Sequence, residues 1–317
     1  MHTTDLGKLL STNVLPLTLA LVMIGIGMSL TAKDFRNVLL FPKSVMIGLA
    51  MQLIVLPAIA FGIAAMAPLS PELKVGIVLI SAAPGGAISN LLNHLFKANL
   101  ALSVSITALN GFLTVFTIPA IMGLALSVFM NHEREIHLDF LPTFIEILQI
   151  TVLPCILGML IRHFLPYISI KAEKPLNYLM PITLGTVMAA TIYFKQGEVV
   201  GVSLSDYLWV VPYALLLNVS GILTGYYLPA LLGIKLRNRL TIAIEVGLQN
   251  TGLAIAIATS TNLLNSPVMA IPSAIYALFT FFTAVAWGLL VVRRYKVAMA
   301  EENTLLANQE QEMANQD

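Results

Sequence analysis

Apolar residues in this chain come in long runs, not in the 3.6-residue stripe of a surface helix or the alternation of a half-buried strand. Nine runs approach or exceed the roughly 20 residues that carry a helix across a bilayer's hydrocarbon core. They occupy residues 13–31, 44–66, 73–96, 100–130, 140–164, 176–195, 206–231, 239–261 and 267–292. Short polar or proline-bearing joints separate them, at 33–43, 68–72, 131–139, 166–175, 196–205, 233–239 and 262–267, and none is long enough for a soluble domain. The pattern predicts an all-α membrane protein with nine transmembrane helices. The polar tail at 297–317, rich in Glu, Gln and Asn, predicts a disordered cytoplasmic segment.

The first run reads as a membrane helix and not as a leader. Asp5 and Lys8 precede it instead of a positive stretch, it is too long for a signal core, and it carries no convincing small-residue cleavage site. No targeting peptide is expected before it. An odd number of spans puts the termini on opposite sides, and the basic residues orient them. With the C-terminus inside, 13 of the 17 Lys and Arg fall in cytoplasmic joints or the tail, and Lys8, Lys74, Arg134 and Lys195 fall outside. The expected topology is N-terminus out and C-terminus in.

Composition sharpens this picture by exclusion. Only 10% of the 317 residues are charged and 58% are hydrophobic, with a mean hydropathy of +0.87, whereas a soluble domain carries roughly a quarter charged residues. A net charge of +1 gives no sign of a nucleic-acid partner. The single cysteine, Cys155, can form no internal disulfide and reads as a small core residue.

Two runs are broken at mid-membrane depth. The third contains Ala83-Pro84-Gly85-Gly86-Ala87-Ile88-Ser89-Asn90, where proline and two glycines should interrupt the helix. The eighth contains Glu245-Val246-Gly247-Leu248-Gln249-Asn250-Thr251-Gly252, where Gly247 and Gly252 bracket a cluster of side-chain oxygens. These are the third of spans one to four and the third of spans six to nine. Equivalent spans lie five apart, so the two halves are expected to have opposite orientation, with span five as connector. Paired breaks in inverted halves are the best sequence pointer to a transporter's binding site. The halves share no strong identity, so the repeat is inferred from hydropathy and the position of the breaks.

Glu245 is the main anomaly. A mid-bilayer carboxylate costs roughly 2.5–3.5 kcal/mol on insertion scales, and no Lys or Arg lies at comparable depth in any span. Its expected partner is a proton or a bound cation. Ser103, Thr107 and Asn110 line one face of span four at i, i+4 and i+7. Ser89 and Asn90 follow the first break, and Gln52 lies inside span two. Such oxygens, with carbonyls freed at a break, suit Na⁺. Imidazole and thiolate sites for a transition metal are not expected, since His94 sits near a span end. Glu146, about two turns from the outer end of span five, is expected to border water. Half-helices starting near Ala87 and Asn250 would point free N–H groups and a positive dipole end at the midplane, where a substrate carboxylate can bind without an arginine.

At these motifs the sequence resembles the bile acid:sodium symporter family, including bacterial homologues of the apical bile acid transporter. Pro84-Gly85-Gly86-x-x-Ser89-Asn90 and Glu245-Val246-Gly247-Leu248-Gln249-Asn250 are similar to that family's two crossover motifs, and the resemblance extends from span one to span nine. It implies a core domain (residues 44–130 and 206–292) that crosses the broken helices, and a panel domain (13–31, 140–164 and 176–195) beside it. It implies one sodium site from Ser89, Asn90, Ser103, Thr107 and Glu245. It implies a second from Gln52, Glu245 and Gln249 with backbone oxygens of Val246 and Leu248. The substrate, a small organic anion such as a bile acid, pantoate or another carboxylate, would lie between core and panel against Ala87, Ile88, Asn250 and Thr251. Relatives often carry a hydroxyl residue where Ala87 stands, and some have a tenth, N-terminal helix that this chain is expected to lack.

The expected function is therefore Na⁺-coupled symport by alternating access, with no cofactor, in a monomer. The alternative is a proton-coupled antiporter on a similar scaffold, which would ordinarily place further Asp or Lys residues at the crossover. An intramembrane enzyme is not expected, since paired aspartates, a His-Glu-x-x-His motif and a serine with a membrane-depth histidine are all missing from the sequence.

Overall fold

A computed structural model describes residues 14–31, 41–130, 140–169, 171–172, 204–260 and 263–297. The sixth expected span (176–195), the joint at 33–40 and the tail from 298 lie outside the described residues. Among those described, the chain is helical and contains no strand beyond one isolated bridge.

Five helices are long and apolar enough to cross a membrane: α2 (Pro42–Met66), α5 (Leu100–Phe129), α6 (Phe144–Phe164), α7 (Leu204–Leu231, its apolar stretch Leu208–Leu231) and α10 (Pro267–Arg294). A shorter helix, α1 (Leu15–Ser29), precedes them. Large apolar side chains such as Leu17, Met46, Ile54, Leu124, Leu216 and Phe282 are exposed on these helices. A water-soluble monomer does not carry so broad an apolar surface, whereas lipid chains demand it.

The two interrupted runs each fold as two half-helices. The first gives α3 (Pro71–Ala82) and α4 (Ala87–Leu95); the second gives α8 (Leu236–Gly247) and α9 (Thr251–Thr259). Both pairs are 12 and 9 residues long. At 1.5 Å per residue they measure about 18 and 14 Å, so neither half spans the ~30 Å hydrocarbon core alone. The cause differs between the breaks. Pro84 has no N–H for the helix ahead of it. In the second run Asn250 takes a non-helical conformation and its side chain accepts from Leu253 N, capping α9.

Two long helices contain a π turn, at Met51–Val55 in α2 and Leu148–Val152 in α6. A proline follows each by two residues, Pro57 and Pro154. The wider turn accommodates the ring and missing N–H without ending the helix. Gln52 and Thr151 sit in these turns.

Packing is closest where glycine permits it. α1 and α6 meet backbone to backbone: a Cβ on Gly158 would collide with backbone atoms of Ile24, Gly27 and Met28, and one on Gly27 with the Cys155 carbonyl. This is the small-residue contact of membrane helices. At the other side, Asn238 of α8 accepts from Asn99 Nδ2 (2.9 Å) and donates to Ser44 Oγ (3.0 Å). The starts of α2, α5 and α8 are thus tied together.

Candidate functional site

The two breaks cross each other at the centre of the bundle. Asn250 N donates to Pro84 O at 2.7 Å, Gly86 N donates to Leu248 O at 3.3 Å, and Gly85 faces Gln249 as an antiparallel bridge. Two of the backbone groups freed at each interruption are therefore satisfied by the other, as a low-dielectric interior requires.

Glu245 lies beside this crossing, in the last turn of α8, and is 1% exposed. Its Oε1 accepts from Ser89 Oγ at 2.7 Å and from Ser103 Oγ, and its Oε2 accepts from Thr107 Oγ1 at 2.9 Å. Asn90 Oδ1 lies 2.7 Å from Ser103 Oγ, whose single proton can go to it or to Glu245 Oε1. All five residues of the first expected ion site thus converge, from α4, α5 and α8. Among the described residues the partners of the carboxylate are three hydroxyls and no cationic side chain. Hydroxyl donors offset only part of the cost of burying a charge. Each hydroxyl can turn its lone pair toward a cation, so the cluster converts readily to an oxygen cage.

The second expected set is brought together in part. Gln52 Nε2 donates to Gln249 Oε1 at 2.8 Å, and Gln249 Nε2 donates to Val246 O at 2.6 Å. The Leu248 carbonyl is taken up by the crossing. No hydrogen bond among the described residues joins this pair of glutamines to the Glu245 carboxylate. Gln52 Oε1 is buried without a partner.

A cavity of about 100 Å³ opens between the crossing and the α1–α6 pair. Met23, Pro84, Gly85, Thr107, Phe112, Thr151, Cys155 and Asn250 are among its lining residues. Thr107 both lines it and donates to Glu245, so the cavity reaches the carboxylate cluster through one side chain. Thr151 Oγ1 is buried there with no partner among the described residues. Of the expected substrate contacts, Asn250 lines the cavity, while the half-buried Ile88 and Thr251 are not among its lining residues. Ala87 opens α4.

Several participants escaped the sequence reading. Asn93 is fully buried and donates from Nδ2 to Ser103 Oγ and to Ser89 O, both at 2.9 Å. Its place one turn after Ser89 was the available signal. Gly247 O accepts from Asn218 Nδ2 (2.8 Å), Tyr276 Oη (2.8 Å) and Thr280 Oγ1 (2.9 Å). Thr283 Oγ1 in turn donates to Asn218 Oδ1 at 2.6 Å. Asn218 was a visible amide inside span seven; the tyrosine and threonines looked like ordinary helix contacts. Glu146 is half-buried and accepts from Ser260 Oγ at 2.6 Å, linking α6 to the end of α9. His94 is exposed.

The model of the Sodium Bile acid symporter family matches residues 16–202. The chain is 32% identical to YocS, a sodium-dependent transporter of Bacillus subtilis (strain 168), over 261 residues, 82% of this chain and 77% of that one. It is 32% identical over 257 residues to the probable sodium/metabolite cotransporter BASS1, chloroplastic, of Arabidopsis thaliana, covering 81% of this chain and 61% of that one. It is 25% identical over 287 residues to the hepatic sodium/bile acid cotransporter of Rattus norvegicus, covering 88% and 75%. The chain thus spans about three fifths of the length of the chloroplast relative.

Proposed function

This chain belongs to the sodium bile acid symporter family, and from that premise we propose that it carries a small organic anion together with Na⁺ by alternating access. The observation that carries this reading is Glu245, a buried carboxylate ringed by hydroxyls where two broken helices cross, with no cationic side chain beside it among the described residues. A cation is the missing partner, and oxygen donors of this hardness suit Na⁺.

In this proposal one Na⁺ binds Ser89, Asn90, Ser103, Thr107 and Glu245. A second uses Gln52 and Gln249 with the carbonyls of Val246 and Leu248, and Glu245 nearby. The substrate occupies the cavity at Asn250, against the start of α9, whose dipole favours a carboxylate. In this reading the cavity of about 100 Å³ takes a short acid. Thr151 would meet a second polar atom of that acid.

We further read α1, α6 and the run at 176–195 as the panel that moves against the core. The equal 12- and 9-residue halves at both breaks support nine spans in an inverted repeat. The charge asymmetry supports the N-terminus out and C-terminus in, and the same proposal puts the chain in a bacterial inner membrane.

Thermal unfolding of the purified chain tests the reading, with a panel of short carboxylates in Na⁺ and in K⁺. A carboxylate should stabilise only with Na⁺. In Glu245→Gln the Na⁺ response should vanish while stability in K⁺ holds or rises, because an uncompensated buried charge is removed. An anion response that needs protons and not Na⁺ would favour the antiporter instead.

A further inference from the structure

The two breaks are matched in length but not in how their surroundings treat them. At the second, Gly247 O, the last residue of α8, takes three donors: Asn218 from the long helix before the break, and Tyr276 and Thr280 from the long helix after it. Asn218 and Tyr276 each lie 29 residues from Gly247, on either side. Ala82 holds the corresponding place at the end of α3. Gln52 in α2 and Asn110 in α5 lie within one residue of those same spacings from Ala82.

These counterparts do not brace the first break. Asn110 is 1% exposed, and neither atom of its amide has a partner among the described residues; Gln52 is 1% exposed, and its Oε1 likewise has none. A buried amide left unpaired is costly. The end of α3 is likewise short of donors. Its cap, Ala83, gives no N–H back to the helix, whereas Leu248 at the end of α8 donates to Ile244 O. Pro84 has no N–H to give. The last carbonyls of α3 thus form the negative end of a helix dipole with little to satisfy it.

Gln52 and Asn110 also lie at the same level of two neighbouring helices. α2 and α5 start at one end of the bundle, tied through Asn238 to Ser44 and Asn99. A Cβ on Gly48 would meet the Ile106 side chain, so α2 packs on α5 at that level. One turn further along each helix lie Gln52 and Asn110, and Asn110 shares the face of Ser103 and Thr107.

We propose that Gln52 Oε1, Asn110 Oδ1 and the last-turn carbonyls of α3 together hold a monovalent cation, so that Asn110 is a cation ligand at the first break, where the second is braced by side-chain donors. The proposal rests on the sodium-coupled reading. It extends the cage around Gln52 to a residue outside the nine positions already assigned to ions.

The test is a titration of the purified chain with Na⁺ at constant ionic strength, balanced with K⁺ and followed by thermal unfolding, for the parent protein, Asn110→Leu and Asn110→Asp. Leucine keeps the branched shape and removes the oxygen, so the Na⁺ midpoint should rise about tenfold, the size of losing about 1.4 kcal/mol of binding. Aspartate keeps the oxygen and adds charge, so its midpoint should fall. A purely structural Asn110 would shift unfolding equally in Na⁺ and K⁺ and leave the midpoint in place, which overturns the proposal. Should the leucine variant not fold, an unchanged midpoint in Asn110→Asp overturns it alone. A parent protein indifferent to Na⁺ sinks the sodium reading itself, a separate failure.

Discussion

At the scale of single residues, the site turns on which atoms touch Glu245, and neighbouring glycines are not equivalent there. A Cβ on Gly85 would sit 2.5 Å from Glu245 Oε2, whereas one on Gly86 would meet nothing within 4 Å. Side-chain volume at residue 85 must therefore displace the carboxylate from Thr107. The Na⁺ midpoint of Gly85→Ala should rise about tenfold or more, and that of Gly86→Ala should stay within about twofold. Equal effects in a Na⁺ titration of the two variants would refute this account. The sequence showed only a Pro-Gly-Gly break; it held no hint of which glycine the carboxylate approaches. It did show Glu245, since an acid in a long apolar run stands out whatever the fold.

At the scale of elements, the broken helices persist because their freed groups find partners in other elements. The α8 end depends on α7 and α10, through the three donors to Gly247 O. Tyr276→Phe removes one hydroxyl from that carbonyl while keeping the ring, so unfolding should lose about 1 kcal/mol. That loss should be the same in Na⁺ and K⁺, because the brace is structural; a change confined to Na⁺ would mean Tyr276 belongs to ion binding. The breaks themselves were legible in the sequence, since proline and glycine act locally. Their brace was not, because 29 residues separate Gly247 from both Asn218 and Tyr276, and no local pattern reports which distant side chain reaches a given carbonyl. The π turns at Gln52 and Thr151 were equally hidden: Pro57 and Pro154 signalled disturbance without saying that the helix would widen and not stop.

For the whole molecule, the question is what moves and how much charge it carries. Thr107 belongs at once to the carboxylate cluster and to the cavity wall, so occupancy of one bears on the shape of the other. Coupling of this kind is a shared binding free energy and is reciprocal. If two Na⁺ accompany a monoanion, one net positive charge crosses per cycle. An interior-negative potential of 100 mV is then worth about 2.3 kcal/mol, or up to about fifty-fold in accumulation. Uptake into vesicles with and without a potassium-diffusion potential checks this, and indifference to potential would exclude that stoichiometry.

The sequence by itself determined that the chain is an apolar helical protein, where its described helices begin and end to within a few residues, and which two of them are interrupted. Hydropathy and backbone-breaking residues suffice for that, because lipid solvation and lost hydrogen bonds act on each segment separately. Only the tertiary structure decided that the breaks cross and satisfy each other, that Ser89, Ser103 and Thr107 close on Glu245, and that Gln52 and Asn110 are left with unpaired amide atoms. Those facts depend on which helices are neighbours and at what depth, and that is set by the packing of the whole bundle.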